Sequence, residues 1–408
     1  MKKLALSLIA LSLPMLAMGQ DDDGVDPSAP VISQAPTSAP GSAIPETRGG
    51  MTLLFDNGPF VTQPGGGFGG ADISVVQFDA LGMNSFGRLV SIAGDRRAAE
   101  DFTVPAGEVW RIDVVELYSF QVDSTTTSTL NEVRLQIWDG VPDAPGSSVV
   151  FGNLTDDLFL ATAWTNVYRV SDLPGAAVDT RRPVMSITAD LGSGGVSLPA
   201  GTYWLDWQIG GTLASGPWQV PITIPGQVTT GNALQYSPAT PGWGPMIDSG
   251  TSTQLGAPFS LLGAATVLAP DVGVAPPVLN FGSIGVGNSA TLSATITNTG
   301  TAAGDFTWTS VSAPFSLQSS SCGAQPATLA AGATCVLTYA FAPTAVGPVP
   351  QQTVTVQVNA STQSFDLTGT GALVATPPQF IPSAGTWALL LLGGLVLLIA
   401  VRRSSAQG

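Results

Sequence analysis

The sequence predicts an all-β protein of two sandwiches, the second smaller than the first, followed by one apolar C-terminal helix. Three observations lead there. Apolar and polar residues alternate with period two over most of the chain, the pattern of half-buried strands. Glycine (48) and proline (32) are abundant and gather between the alternating runs, where turns need them. Charged residues are only 10% of 408, against about a quarter in ordinary soluble domains, while 44% hydrophobic content argues against disorder over most of the length.

The elements follow in chain order. MKKLALSLIALSLPMLAMGQ carries Lys2 and Lys3 before an apolar stretch from Leu4 to Leu13, then small Ala17 and Gly19. That order marks residues 1–19 as a signal peptide cut before Gln20, so the chain is expected to be exported. Residues 20–50 are acidic and Pro/Ser-rich, a flexible segment; the Asp21–Asp23 run reads as part of a solvated tail.

Residues 51–265 form the larger sandwich. In GTYWLDWQIG, Tyr203, Leu205, Trp207 and Ile209 share one face, and Trp204, Asp206 and Gln208 the other. In NEVRLQIWDG, Val133, Leu135 and Ile137 oppose Arg134, Gln136 and Trp138. DGVPDAPGSS and ADLGSGG punctuate these runs, and no stretch shows a 3.6-residue amphipathic repeat. Short antiparallel strands over such a length predict a jelly-roll-like sandwich. Residues 266–276, with Pro270 and Pro276, read as a linker.

Residues 277–372 alternate clearly. Leu292, Ala294 and Ile296 point inward, as do Cys335, Leu337, Tyr339 and Phe341, and Val354, Val356 and Val358. About seven short strands in this length is an Ig-like pattern. LNFGSIGVGNSATLSATITNTGTAAGDFTW, SCGAQPATLAAGATCVLTYAFAPTAVGP and SFDLTGTG resemble the bacterial choice-of-anchor D type of Ig-like domain, which is similar to the ASH/hydin type. The resemblance implies a seven-stranded sandwich, a Cys322–Cys335 bridge and a spacer or interaction role without catalysis. The larger domain resembles uncharacterised N-terminal sandwiches of other exported bacterial proteins through DFTVPAGEVW, LQIWDGVPDAPGSSVVFGN and GTYWLDWQIGGTLASGPW, and no known function comes with that likeness.

The chain closes on IPSAGTWALLLLGGLVLLIAVRR and SSAQG. Residues 373–383 are a linker with a sorting motif, 384–401 a transmembrane helix and 402–408 a basic cytoplasmic tail. Eighteen apolar residues rise roughly 27 Å, slightly less than a bilayer core. Trp387 suits one interface, and Arg402 and Arg403 keep the C-terminus in the cytoplasm. Ile381, Pro382, Trp387, Arg402 and Arg403 resemble, in order and register, the IPTL-CTERM sorting tail, a relative of PEP-CTERM signals. Ser383-Ala384-Gly385 departs from the usual Thr-Leu-Ser. The resemblance implies an exosortase-like or other sorting protease, transient inner-membrane anchoring with both sandwiches in the periplasm, then release to the cell surface or medium; a plain anchor is the alternative.

Composition also excludes chemistries. Histidine is absent, which closes Ser-His-Asp and Cys-His catalysis and the commonest zinc sites. Two cysteines, Cys322 and Cys335, cannot build a multi-cysteine metal site, and in an exported chain they most simply form one disulfide. A net charge of −15 repels phosphate backbones, so nucleic acid is no expected partner. Gly65-x-Gly67-x-x-Gly70 lacks the flanking strand and helix of a dinucleotide site and reads as a glycine loop.

Trp138, Trp204, Asp206 and Trp207 form the candidate ligand surface, since rings beside a carboxylate can stack on and hydrogen-bond a sugar. Asp139, Asp143, Asp156 and Asp157 are candidate calcium oxygens, with turn acids as the plain reading. No cofactor is expected apart from that calcium. The expected function is a non-enzymatic exported surface or matrix protein that engages polysaccharide or protein. The alternatives are an envelope carbohydrate-binding module and a glycoside hydrolase working with carboxylates alone.

Overall fold

The computed structural model describes residues 51–374 and Leu391. The expected segments 1–19 and 20–50 lie outside the described residues, as do Ile381, Pro382, Trp387, Arg402 and Arg403 and all but Leu391 of the 384–401 helix. Among the described residues no helix is long and apolar enough to cross a membrane. The chain divides into two compact units at Leu268/Ala269, and both are all-β.

Unit one contains β1 (Thr52–Asp56), β2 (Asp72–Val76), β3 (Arg88–Leu89), β4 (Arg97–Phe120), β5 (Leu130–Trp138), β6 (Val149–Asn153), β7 (Phe159–Ser171), β8 (Pro183–Asp190), β9 (Val196–Gly211), β10 (Trp218–Gln219), β11 (Leu234–Tyr236), β12 (Trp243–Pro245) and β13 (Phe259–Val267). β4 organises them. Its first part, Ala98 to Val104, pairs with β9; its last part, Val114 to Ser119, pairs with β8. Its other edge pairs with β11 at Arg97–Ala99 and with β13 from Glu108 to Leu117. The register breaks between Val104 and Val109, where Gly107 takes φ +82, a left-handed conformation that glycine adopts without strain.

The order β2-β7-β8-β4-β9-β5-β6 therefore joins all thirteen strands into one sheet through β4, where a jelly roll keeps two separate sheets. Two further details correct the expected short antiparallel strands. β4, β7 and β9 are 24, 13 and 16 residues long, and β2 enters parallel to β7. Parallel and antiparallel partners show the same period-two pattern, so alternation could not distinguish them.

The core of unit one lies where β1 and β13 face β4 and β9. Phe55 and Phe259 meet Phe102 with ring centroids 6.1 and 6.2 Å away, and Trp207 stands 6.0 Å from Phe259. Each such ring buries 150–250 Å². Tyr203, Leu205, Trp207 and Ile209 all face this core, as their alternation required.

Unit two contains β14 (Val272–Ala275), β15 (Val278–Gly285), β16 (Ala290–Asn298), β17 (Gly304–Trp308), β18 (Phe315–Ser320), β19 (Ala327–Leu329), β20 (Thr334–Phe341), β21 (Gly347–Pro348), β22 (Gln352–Val358) and β23 (Ser361–Ala372). Seven strands of five residues or more carry the sandwich, and β14, β19 and β21 are short additions. One sheet runs β14-β16-β20-β18, the other β15-β23-β22-β17-β19 with β21 on β23. Phe281, Phe315 and Phe341 pack between them at 4.9 to 5.7 Å.

Two expectations change here. The 266–276 linker is largely strand: β13 continues to Val267, and β14 pairs with β16 at the edge of its sheet. Pro270, Pro276 and Pro277 flank β14 without interrupting it, as an edge position allows. Leu292 is 36% exposed while Ala294 and Ile296 are fully buried, so the inward run starts one pleat later. Cys322 and Cys335 are bonded, with Cα atoms 4.9 Å apart.

Candidate functional site

Cross-strand register assembles the site. Residues directly opposite on neighbouring strands point to the same side of a sheet. Trp138 and Asp101 both oppose Trp204; Gln136 and Ala99 both oppose Asp206. Tyr236 opposes Arg97, and Trp243 opposes Tyr236. Five strands thus collect Trp138, Trp204, Arg97, Asp206, Tyr236 and Trp243 on the face turned away from the Phe55–Phe259 core.

At the centre, Arg97 Nη1 donates to Asp206 Oδ2 at 2.7 Å, and Trp138 Nε1 donates to the same oxygen at 3.3 Å. The Arg97 guanidinium lies 4.0 Å from the Tyr236 ring centroid and 4.9 Å from that of Trp243, a cation–π arrangement that takes the charge out of water. Burial pushes the Asp206 carboxyl up to about 7, with Arg97 and Trp138 opposing the rise and Asp143 adding to it. Three buried polar atoms here, Arg97 Nε, Asp206 Oδ1 and Trp243 Nε1, have no hydrogen-bond partner in the structure.

This arrangement corrects the candidate surface. Trp207 belongs to the core, where its Nε1 donates to Gln219 Oε1 at 3.1 Å. Asp206 is fully buried and Trp204 is 7% exposed, because side chains from β4, β5, β11 and β12 cover that face of β9. Trp138 keeps its place, and Tyr236 and Trp243 join it as half-buried rings. Their signal lay in LQYSPATPGWGP, two aromatic stretches around a Pro/Gly turn, which is a hairpin pattern.

Asp139 and Asp156 serve local turns, Asp143 sits within one, and Asp157 ties β5 to the start of β7. Asp139 Oδ1 accepts the Ser148 N–H at 2.6 Å, Asp156 Oδ2 accepts from Asn153 Nδ2 at 2.7 Å, and Asp157 Oδ1 accepts from the Val133 and Phe159 N–H groups. Asp143 has φ +58, a left-handed turn conformation that aspartate tolerates. Among the described residues no three His, Cys, Asp or Glu side chains gather as a metal site would need. Around the glycine loop, Gly67 N–H bonds Ala71 O at 2.8 Å, and the loop returns directly into β2.

Unit one also holds buried arginines that alternation did not reveal. Arg169 donates to Phe86 O, Ser74 Oγ and Thr223 Oγ1 at 2.8–2.9 Å. Arg182 stacks 3.7 Å over the Phe86 ring and, with Arg181, pairs with Asp179. The planar fork of arginine meets several fixed acceptors at once, which a lysine could not do.

Residues 270–372 match the family model of the HYDIN/CFA65/VesB-like Ig-like domain. Unit two is an Ig-like domain of the hydin type. Among solved structures, the ASH/PapD-like domain 7 of human CEP192 is similar at 16% identity, covering 26% of this chain and 87% of that one, with a TM-score of 0.22. The Vibrio cholerae VesB protease is similar at 12% identity over 69% of this chain and all of that one, TM-score 0.21. A Porphyromonas gingivalis W83 protein of unknown function is similar at 12% identity over 44% and 77%, TM-score 0.21. Likenesses this distant carry no functional argument. No curated protein matches the chain.

Proposed function

We propose that the chain is a non-enzymatic, exported surface or matrix protein, with unit one as its interaction domain and the hydin-type unit two as its stalk. An IPTL-CTERM-like tail sorts it, through transient inner-membrane anchoring, to the cell surface or medium. The observation that carries the binding role is the partly exposed ring set Trp138, Tyr236 and Trp243, held over the buried Arg97–Asp206 pair. Rigid rings on a sheet supply contact area at small entropic cost. The Cys322–Cys335 bond supports an oxidising compartment. A chain without histidine, whose cysteines are both bonded, supports the non-enzymatic reading.

Carbohydrate binding is the second reading, favoured because flat rings beside polar groups suit sugar faces. The hydrolase reading finds no support in the two most strongly raised acids. Asp206 is tied to Arg97, and Glu100, the other strongly perturbed acid of β4 and β9, alternates onto the opposite face of the sheet, so the two cannot flank one glycosidic bond. Glycan-array binding of the mature chain against Trp243→Ala tests the site. A loss of tenfold or more supports the ring face, and a carbohydrate ligand with it. Glycan binding unchanged by Trp138→Ala, Tyr236→Ala and Trp243→Ala would overturn the site.

A further inference from the structure

Between Ala99, where the β11 pairing ends, and Glu108, where the β13 pairing begins, the outer edge of β4 has no strand beside it. A cavity of about 280 Å³ opens at this bare edge, lined by β4 residues of both faces, Glu100 and Phe102 from one and Asp101 and Thr103 from the other. Its apolar walls include Phe55 and Phe102; its polar lining includes Glu100, Asp101, Thr230 and Asn232. Glu100 is 3% exposed and its Oε2 accepts the Ala257 N–H at 2.8 Å. Asp101 Oδ1 accepts from Asn232 Nδ2 at 2.8 Å. Gly231 is required at this wall, since a Cβ there would stand 2.5 Å from the Gly256 Cα.

A buried carboxyl facing a cavity is unusual, because an isolated charge is expensive to bury and a neutral acid wastes an acceptor. Burial pushes Glu100 up to about 8, and the nearby Asp101 carboxylate adds to the rise. The backbone N–H groups of Ala257, Asp101 and Asn232 oppose that rise; among the described residues no ion pair to Glu100 is seen, and the cation nearest in register, Arg88, bonds Gln235 opposite Ala98. β9 offers Leu205 opposite, the chain beyond β12 offers Gly256 and Ala257, the loop before β11 offers Thr230, Gly231 and Asn232, β1 offers Phe55, and the residue just after β1 is Asn57. Asp56, also on β1, acts on Glu116 instead.

We propose that this cavity binds a small organic ammonium group, with Glu100 as its counter-ion and the partly buried Phe55 as its apolar wall. Ring faces attract a polyatomic cation, and the volume suits a few heavy atoms. A divalent metal fits less well, since it would need six or more oxygens around it. Glu100 enters the complex as the carboxylate, so binding an ammonium ion to the protonated free state releases one proton to solvent.

The test is titration of the full chain with n-butylammonium chloride from pH 6 to 9, with n-butanol and calcium chloride as controls. Affinity should rise about tenfold per pH unit up to pH 8 and then level, with one proton released per ligand by calorimetry in two buffers. Glu100→Gln keeps an acceptor for Ala257 and should lose at least tenfold in affinity together with the pH slope. Should Glu100→Gln fail to fold, the wild-type slope and proton count decide the matter. No saturable binding, a pH-independent affinity, equal binding of n-butanol, or calcium binding more tightly than the ammonium would each overturn the proposal. The ring face does not enter this assay, so its failure and that of the glycan assay are separable.

Discussion

At the residue scale, similar side chains hold opposite roles according to the pleat they occupy. Trp207 and Trp243 are both tryptophans on the same sheet, yet one fills the core and the other covers an arginine. Trp207→Ala should destabilise unit one by about 3–5 kcal/mol, measured by denaturant unfolding, whereas Trp243→Ala should cost under about half of that. Equal losses would mean that the two faces are misassigned. The buried acids give a pH signature. Glu100 and Asp206 are raised from 4.5 and 3.8 to about 8 and about 7, so between each pair of values the native state holds a proton that the unfolded chain has lost. Stability therefore falls as pH rises from about 4 to 8, by up to about 1.4 kcal/mol per pH unit for each group. Thermal unfolding of unit one should come at a lower temperature at pH 8 than at pH 5, and Glu100→Gln should flatten the dependence above pH 7. A midpoint that climbs from pH 5 to pH 8 would contradict both assignments.

At the scale of elements, the sequence was most informative where a strand has one wet face and least where both faces are covered. The alternation in β9 placed Tyr203, Leu205, Trp207 and Ile209 on the core correctly. It could not reveal that Trp204, Asp206 and Gln208 are buried too, because the cover comes partly from the β11–β12 hairpin about thirty residues downstream. Arg97 was equally hidden, since nothing local in GDRRAAEDF shows that its charge ends between two rings. β14 escaped because four residues between prolines carry too short a pattern to separate from a linker. In unit two the pairing of the cysteines followed from their number and from family resemblance together. Replacing both by alanine should cost unit two about 3 kcal/mol in the chain-entropy model and leave unit one unchanged, as two-probe denaturation would report. Equal destabilisation of both units would contradict their independence.

For the whole molecule, composition is the common thread. A chain with 10% charged residues, a net charge of −15 and no histidine builds its buried polar sites from arginine and carboxylates. Those sites hold buried arginines against carboxylates and carbonyls, and raise Glu100 and Asp206 towards neutral pH by burial. This pattern agrees with a displayed recognition protein. Address and binding together make up the account, and address is the part on which the rest depends. The most direct test is C-terminal mass spectrometry of the mature protein from fractionated cells. The account predicts a chain that ends near Ile381–Pro382, with Cys322 and Cys335 oxidised, in the cell-surface or extracellular fraction. A chain still carrying Arg403 and held in the inner membrane would contradict it.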